Sequence, residues 1–426
     1  MIHQTVLPFK LEITRDTITS HAGLALLGEF CVGLDFLRAI DRCMPVPGSG
    51  AGYKASEYAF PLVLMLNGGG RSLEDIRVIR ADTGLREVLS LDRAPSSDAA
   101  GDWLRRMGEG QGLEGLAAVQ RRFLKWALKY DEAKGYTLDI DATGIESQKE
   151  SAVMTYKGFT GYMPIVGNLA ENGLVVGDEF REGNESPGSR NLEFIKYCIR
   201  QMPRGKRIKA LRADSASYQA DIINFCYGQE MQFALGADLD EAVVRAIKSL
   251  PEGEWRPYRG GHIAETVHCM NRTKKAFRLI VVRRPYQQGL FGQEDNKLRY
   301  TAIASSRTEA ADVVMDWYHQ RGECSENRIK ELKIGFGMER MPCGQSVANA
   351  VFFRVGAMAY NLYRLFLLKT LDVSWHKHQV QTLRRRLFQT AGKVVDHANR
   401  VSLKVRRGLY ALFEKIRLRI WEFANT

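Results

Sequence analysis

The chain has 426 residues, 45% of them apolar and 26% charged, enough to bury a large core and to divide into two or three domains. Its 61 lysines and arginines against 49 aspartates and glutamates give a net charge of +12, which favours a polyanionic partner such as nucleic acid over a neutral metabolite. Seven scattered cysteines without a CxxC argue against a disulfide framework or a thiolate zinc site, "MIHQTVLPFKLEITRD" has no signal-peptide core, and apolar runs such as "AFPLVLML" are too short to span a bilayer, so a soluble protein of a reducing cytosol is expected.

Segments such as "HAGLALLGEFCVGLDFLRAI" and "LEGLAAVQRRFLKWALKY" place apolar residues at steps of three and four, which predicts a helical region over 1–130. Within it, "APSSDAAGDWLRRM" offers Ser96 or Ser97 as the N-cap of a helix presenting Arg105 and Arg106, either against DNA or as a solvated basic helix end. The pattern changes at "KGYTLDIDATG", a strand ending in carboxylates, and "GYMPIVGNLAENGLVVGDEF" adds two strands around an "ENG" turn. Then follow a helix in "NLEFIKYCIRQM", a strand in "KRIKALRADSASY" and a helix in "QADIINFCYGQ". This order over 131–230 predicts an α/β fold with a mixed sheet flanked by helices.

Residues 231–304 turn β-rich again and predict an inserted subdomain. At Ser306, "SRTE" matches a capping box with Glu309 at N3, predicting a helix from there through "AADVVMDWYHQRG" in a segment, 305–370, that completes the core. The basic stretch 371–426, with "LRRRLFQ", "LKVRRGLY" and "KIRLRIW", predicts a helical C-terminal region. It lies along DNA, mediates dimerisation, or packs an apolar face on the core while its cations reach for solvent. Phe291 in "QQGLFGQED" is either a wedge into DNA or a loop aromatic packing locally.

Three acids stand out. The strand period of two puts Asp139 and Asp141 of "LDID" on one face, and Asp141, nearer the strand end where a sheet opens into loops, is the favoured one. Asp214 in "ALRADS" takes the same position on its strand. In "YHQRGECSENRIKELK", Lys330 and Lys333 fall four and seven residues after Glu326 on one helix face, leaving Ile329, Leu332 and Phe336 for the core. Glu326 is then half of a surface ion pair, or a metal ligand whose neighbouring cations serve phosphates, because hard Mg²⁺ prefers carboxylate oxygens.

On these residues the chain resembles a DDE transposase of a bacterial insertion sequence, of the domain group one type, in the branch with a Tyr, Arg, Glu, Lys signature. Asp141 in "DIDATG" resembles the first aspartate of that family and Asp214 in "RADSASY" the second. Glu326 matches the third carboxylate, with Tyr318, Arg321 and Lys333 as companions. Four residues instead of the usual three separate Arg321 from Glu326, which leaves Glu323 as a competitor, while the spacing from Glu326 to Lys333 agrees. "IGFGMERMPCGQSVANAVFFRVGAMAYNL" resembles the helices that close such a domain, and the similarity covers residues 20–420.

The resemblance implies an RNase H-like core interrupted by the β-rich insertion. It implies metal-dependent cleavage and strand transfer with two Mg²⁺ ions, Mn²⁺ being a substitute, Asp141 bridging both and Asp214 and Glu326 holding one each. Tyr318, Arg321 and Lys333, with Lys330, would hold DNA phosphates. The implied partners are double-stranded DNA, both terminal inverted repeats and target, and a second copy of the chain in a synaptic homodimer, in the bacterial cytoplasm at the nucleoid. The alternatives are an RNase H-like nuclease without strand transfer and a catalytically inactive DNA-binding regulator.

Overall fold

A computed structural model describes residues 7, 9–48, 50, 52–285, 298–322, 326–398 and 400–425. A short strand β1 (Thr17–Thr19) precedes helices α1 (Ala22–Gly33), α2 (Phe36–Cys43), α3 (Ala55–Gly68), α4 (Ile76–Ala81), α5 (Thr83–Val88), α6 (Ser97–Glu109) and α7 (Gly112–Ala127). Ser96 is the N-cap of α6, its hydroxyl accepting from the Ala99 amide at 3.2 Å, and Arg105 and Arg106 stand in solvent at the other end.

The α/β half is organised by one strand, β2 (Gly135–Ala142), covered on both faces. Next in the chain come three short strands, β3 (Ile145–Glu146), β4 (Val153–Met154) and β5 (Thr160–Tyr162), which form a small sheet of their own. The hairpin of β6 (Ile165–Leu169) and β7 (Val175–Glu179) then pairs antiparallel with β2. Helix α8 (Asn191–Gln201) packs closely on this hairpin because Gly167 and Gly177, paired in register, leave room for Cys198; a Cβ on either would sit 2.9 or 3.0 Å from its sulfur. Strand β8 (Arg207–Ala213) pairs parallel with β2, and after α9 (Ala220–Gly228) strand β9 (Gln232–Gly236) pairs parallel with β8. The result is the RNase H-like mixed sheet flanked by helices.

The β-rich segment is joined directly to this sheet. After α10 (Glu241–Lys248), strands β10 (Arg256–Tyr258), β11 (Gly261–His268), β12 (Phe277–Pro285) and β13 (Leu298–Ser305) form an antiparallel meander. Its last strand pairs with β9. Among the described residues the sheet has nine strands in the order β10-β11-β12-β13-β9-β8-β2-β6-β7. Phe291 lies outside the described residues.

Helix α11 (Ala311–Arg321) starts five residues after the capping box expected at Ser306. There the two serines serve the sheet instead: Ser305 Oγ donates to the Phe233 carbonyl at 2.7 Å and the Phe233 amide donates to Ser306 Oγ at 3.1 Å. Glu309 pairs with Arg307. Ala311, Val314 and Met315 bury α11 on Ile263, Ile280, Val282 and Ile303 of the meander.

Helix α12 (Asn327–Lys330) leads into a π turn at Glu331–Gly335 and then α13 (Ser346–Thr370). The last is long and apolar enough to cross a membrane, but 83% of its most apolar stretch is buried inside the protein, which makes it a core helix. The C-terminal region departs from an all-helical expectation. Between α14 (Val380–Leu383) and α15 (Arg407–Ala424) a hairpin of β14 (Gly392–His397) and β15 (Arg400–Val405) intervenes, and β1 completes its sheet. Helix α15 buries Leu409, Phe413, Ile416 and Ile420, while Arg417 pairs with Glu29 and Lys415 and Arg419 with Asp372. Its apolar face is therefore in the core and these cations serve structure.

At the centre of the sheet, Asp139 of β2 faces Arg212 of β8 in register. Arg212 Nε and Nη2 donate to the two carboxylate oxygens at 2.7 and 2.8 Å, and Nη1 donates to the Trp317 carbonyl of α11 at 2.5 Å. Both side chains are fully buried. Removing one partner leaves an uncompensated charge, so Arg212→Met is expected to cost about 3–5 kcal/mol in urea unfolding, whereas Asp139→Leu combined with Arg212→Met recovers most of that loss.

Candidate active site

Two residues beyond this ion pair on each strand stand Asp141, at the end of β2, and Asp214, just past β8. One residue beyond the Trp317 carbonyl comes Tyr318, and one helical turn further Arg321. The clamp thus fixes the three elements that carry Asp141, Asp214, Tyr318 and Arg321. Tyr318 is half-buried against the strand ends: a Cβ on Gly236 would lie 2.9 Å from its hydroxyl, and the Ser215 amide adjoins the same spot.

Arg321 points at the acids. Its Nη1 lies 3.4 Å from Asp141 Oδ2, both side chains are largely buried, and that nitrogen has no hydrogen-bond partner among the described residues. Residues 323–325, with the competitor Glu323, lie outside the described residues.

Glu326 is exposed on the rim of a pocket of ≈ 290 Å³ that it shares with Asp141, Thr143, Lys330, Lys333 and Glu339. Ile329, Leu332 and Phe336 are buried on the other side, as their spacing predicts. Lys330 is exposed, and Lys333 donates to the Gly144 carbonyl at 2.6 Å, fixing the loop that leaves β2. The helix is held from behind. Glu331 accepts from the Val380 amide at 2.7 Å, Arg328 donates to the Leu169 and Ala170 carbonyls at 2.9 and 2.7 Å, and Arg384 donates to the Gly335 carbonyl at 2.6 Å.

The electrostatics converge on Asp141. Burial pushes its carboxyl up to about 6; Arg321 opposes this, and Asp214 and Glu326 add to it. Asp214 is likewise raised by burial and held back by Arg321. Burial works against the charge of Arg321, but Asp141, Tyr318 and Asp214 outweigh it and keep the guanidinium above its ordinary value. Burial lowers the Lys333 ammonium, against Glu339.

The structure therefore brings Asp141, Asp214, Glu326, Tyr318, Arg321, Lys330 and Lys333 to one end of the sheet. The clamp of Asp139 and Arg212 went unread in the sequence, as did Lys157, which also acts on both aspartates. The "DID" and "RAD" runs carry the signal for the former, since each puts an ionisable residue two places before a candidate acid. In chemical terms the donor set suits a hard divalent cation: three carboxylates, mutually repelling, with one buried guanidinium supplying compensating charge. Among the described residues, no three acidic, histidine or cysteine side chains are arranged to grip one ion in this conformation.

The chain matches the family model described as Transposase DDE domain group 1 over residues 7–415. No curated protein matches it.

Because Asp141 binds its proton more tightly folded than unfolded, the protein loses stability as pH rises from 3.8 towards about 6, and the full cost of the charged carboxylate is present above that window. A shift of this size corresponds to about 3 kcal/mol. Asp141→Asn in EDTA is thus expected to unfold at higher urea than the wild type at pH 8, by up to about 3 kcal/mol, with the advantage gone near pH 4. Equal midpoints at pH 8 would contradict the strained carboxylate.

Proposed function

The chain belongs to the Transposase DDE domain group 1 family, and we propose that it binds the terminal inverted repeats of an insertion sequence, cleaves the DNA there and transfers the strand to a target. The observation that carries this reading is that Asp141 and Glu326 share one pocket with Lys330 and Lys333, while the buried Arg321 lies 3.4 Å from Asp141 and the charge of Asp214 acts on the same carboxylate. Members of such a family generally use divalent metal ions. Asp141, Asp214 and Glu326 would hold them. When bound, two Mg²⁺ ions, or Mn²⁺ in their place, supply activation of the attacking oxygen and stabilisation of the leaving one in an in-line displacement.

The chain's own residues do the rest. Asp141 must be deprotonated to act as a ligand, so its raised value ties ion affinity to pH. Arg321 compensates the acids in the free protein and would turn its charge to a phosphate when DNA is bound. Lys330, in solvent, and Lys333, with ammonium protons beyond the one given to Gly144, would serve neighbouring phosphates, and the Tyr318 hydroxyl, beside Gly236 and Ser215, would meet another. Water attacks first; the freed 3′-hydroxyl then attacks the target, exchanging one phosphodiester bond for another without ATP. Two DNA ends brought together call for a homodimer, and the work lies with DNA in the bacterial cytoplasm.

The test is a labelled duplex carrying the terminal repeat, incubated with a target plasmid and either Mg²⁺ or EDTA. Metal-dependent cleavage with joined product is expected; cleavage alone would point to a nuclease, and binding without cleavage to an inactive regulator. Alanine at Asp141, Asp214 or Glu326 should lower cleavage more than about 100-fold, since even partners behind a metal ligand cost 10–100-fold, while leaving duplex binding in place.

A further inference from the structure

Between β2 and β6 the chain detours through residues 143–164, and the small sheet β3-β5-β4 formed there has no part in the pairing of the main sheet. Its root is tied to the active site. The Thr143 amide donates to the Pro164 carbonyl at 2.8 Å, Lys333 holds Gly144, and a Cβ on Gly144 would sit 2.5 Å from the Phe159 ring. Ser151 donates through Oγ to the Gly344 carbonyl at 2.6 Å, and Ile145 and Tyr162 are buried.

The tip between β4 and β5 is equally set. Thr155, buried, exchanges hydrogen bonds with Phe159: its amide and Oγ1 both donate to the Phe159 carbonyl at 2.8 Å. Gly158 closes the turn at φ 84, a left-handed conformation that favours glycine. What this rigid turn holds out is Tyr156, 58% exposed, and Lys157, whose ammonium lies 5.6 Å from the Tyr156 ring centre. Lys157 reaches the catalytic acids electrostatically. Burial raises Asp141 and Asp214, Arg321 opposes it, and Lys157 acts in the same direction as Arg321.

A preorganised aromatic ring beside a lysine is the pairing that binds single-stranded nucleic acid, the ring stacking on a base and the cation meeting the backbone. Resting on the function proposed above, we propose that the tip Tyr156–Lys157–Gly158 is a nucleotide-binding site of the catalytic pocket: Lys157 meets a phosphate next to the one under attack, and the Tyr156 ring stacks on the unpaired base attached to it. Since Asp141 is recessed, a phosphate reaches it more readily from a frayed strand than from an intact duplex end, and the ring offers the freed base a surface.

The full chain, in EDTA, is titrated with a duplex carrying the inverted repeat that flanks its coding sequence, with 2-aminopurine as the terminal base. Wild-type binding is expected to quench the fluorescence. Tyr156→Ala should abolish the quench and weaken binding about 5- to 150-fold, the range a stacked base contributes, whereas Tyr156→Phe retains both. Lys157→Ala should lower the salt dependence of binding by about one charge and Lys157→Arg preserve it. Both residues are exposed, so unchanged thermal midpoints establish that the variants fold. Quenching and affinity unaltered in Tyr156→Ala would overturn this inference and leave the proposed function standing; a wild-type chain that fails to bind the duplex overturns the function, and the inference with it.

Discussion

The buried contact of Arg212 with Asp139 and the Trp317 carbonyl is the constraint on which the rest of the α/β half depends. Neither charge tolerates a dry interior alone, so the guanidinium has to keep all three elements in one place. Trp317 also receives the Arg212 and Arg307 guanidinium groups at 5.0 and 4.2 Å from its ring, which fastens the same point of α11 to β8 and to the end of β13. Because Asp141, Asp214 and Tyr318 lie one or two residues from the members of this contact, its geometry becomes theirs.

The nine-stranded sheet serves the same end. A helix with one buried face needs a surface to cover, and α11 finds it on strands β11, β12 and β13 as well as on Ala234 of β9. The β-rich segment therefore acts as the bed for the helix that supplies Tyr318 and Arg321. On the opposite side, α13 and the segment after it hold the back of α12 through Glu331, so the rim carrying Glu326 is fixed by residues far along the chain.

The pocket itself runs against stability. Carboxylates that repel one another are kept in partial burial, and Arg321 offsets this only in part, because Asp141 remains well above an ordinary carboxylate. Such an arrangement persists when the surrounding core over-determines it, and it is relieved by whatever cation or proton the site takes up. Fold and site are thus coupled through charge: the clamp beneath is neutral as a pair, and the cluster above is left short of positive charge.

Much of this was legible in the chain itself. The period of two in "LDIDA" puts Asp141 at the open end of a strand, "ALRADS" does the same for Asp214, and the spacing of Ile329, Leu332 and Phe336 fixes which face of its helix Glu326 takes, since local backbone geometry alone governs these patterns. The helix expected at Ser306 was not decided locally: Ser305 and Ser306 had a stronger claim from Phe233, some seventy residues away, than from the turn that followed. Nor could the pattern assign Arg212 to Asp139, join the meander to β9, or bring β1 to β14 across almost the whole chain. Side-chain periodicity says which face of a segment is buried. It does not say against what, because strand pairing and buried charge are settled by partners distant in sequence that meet only once the core has formed.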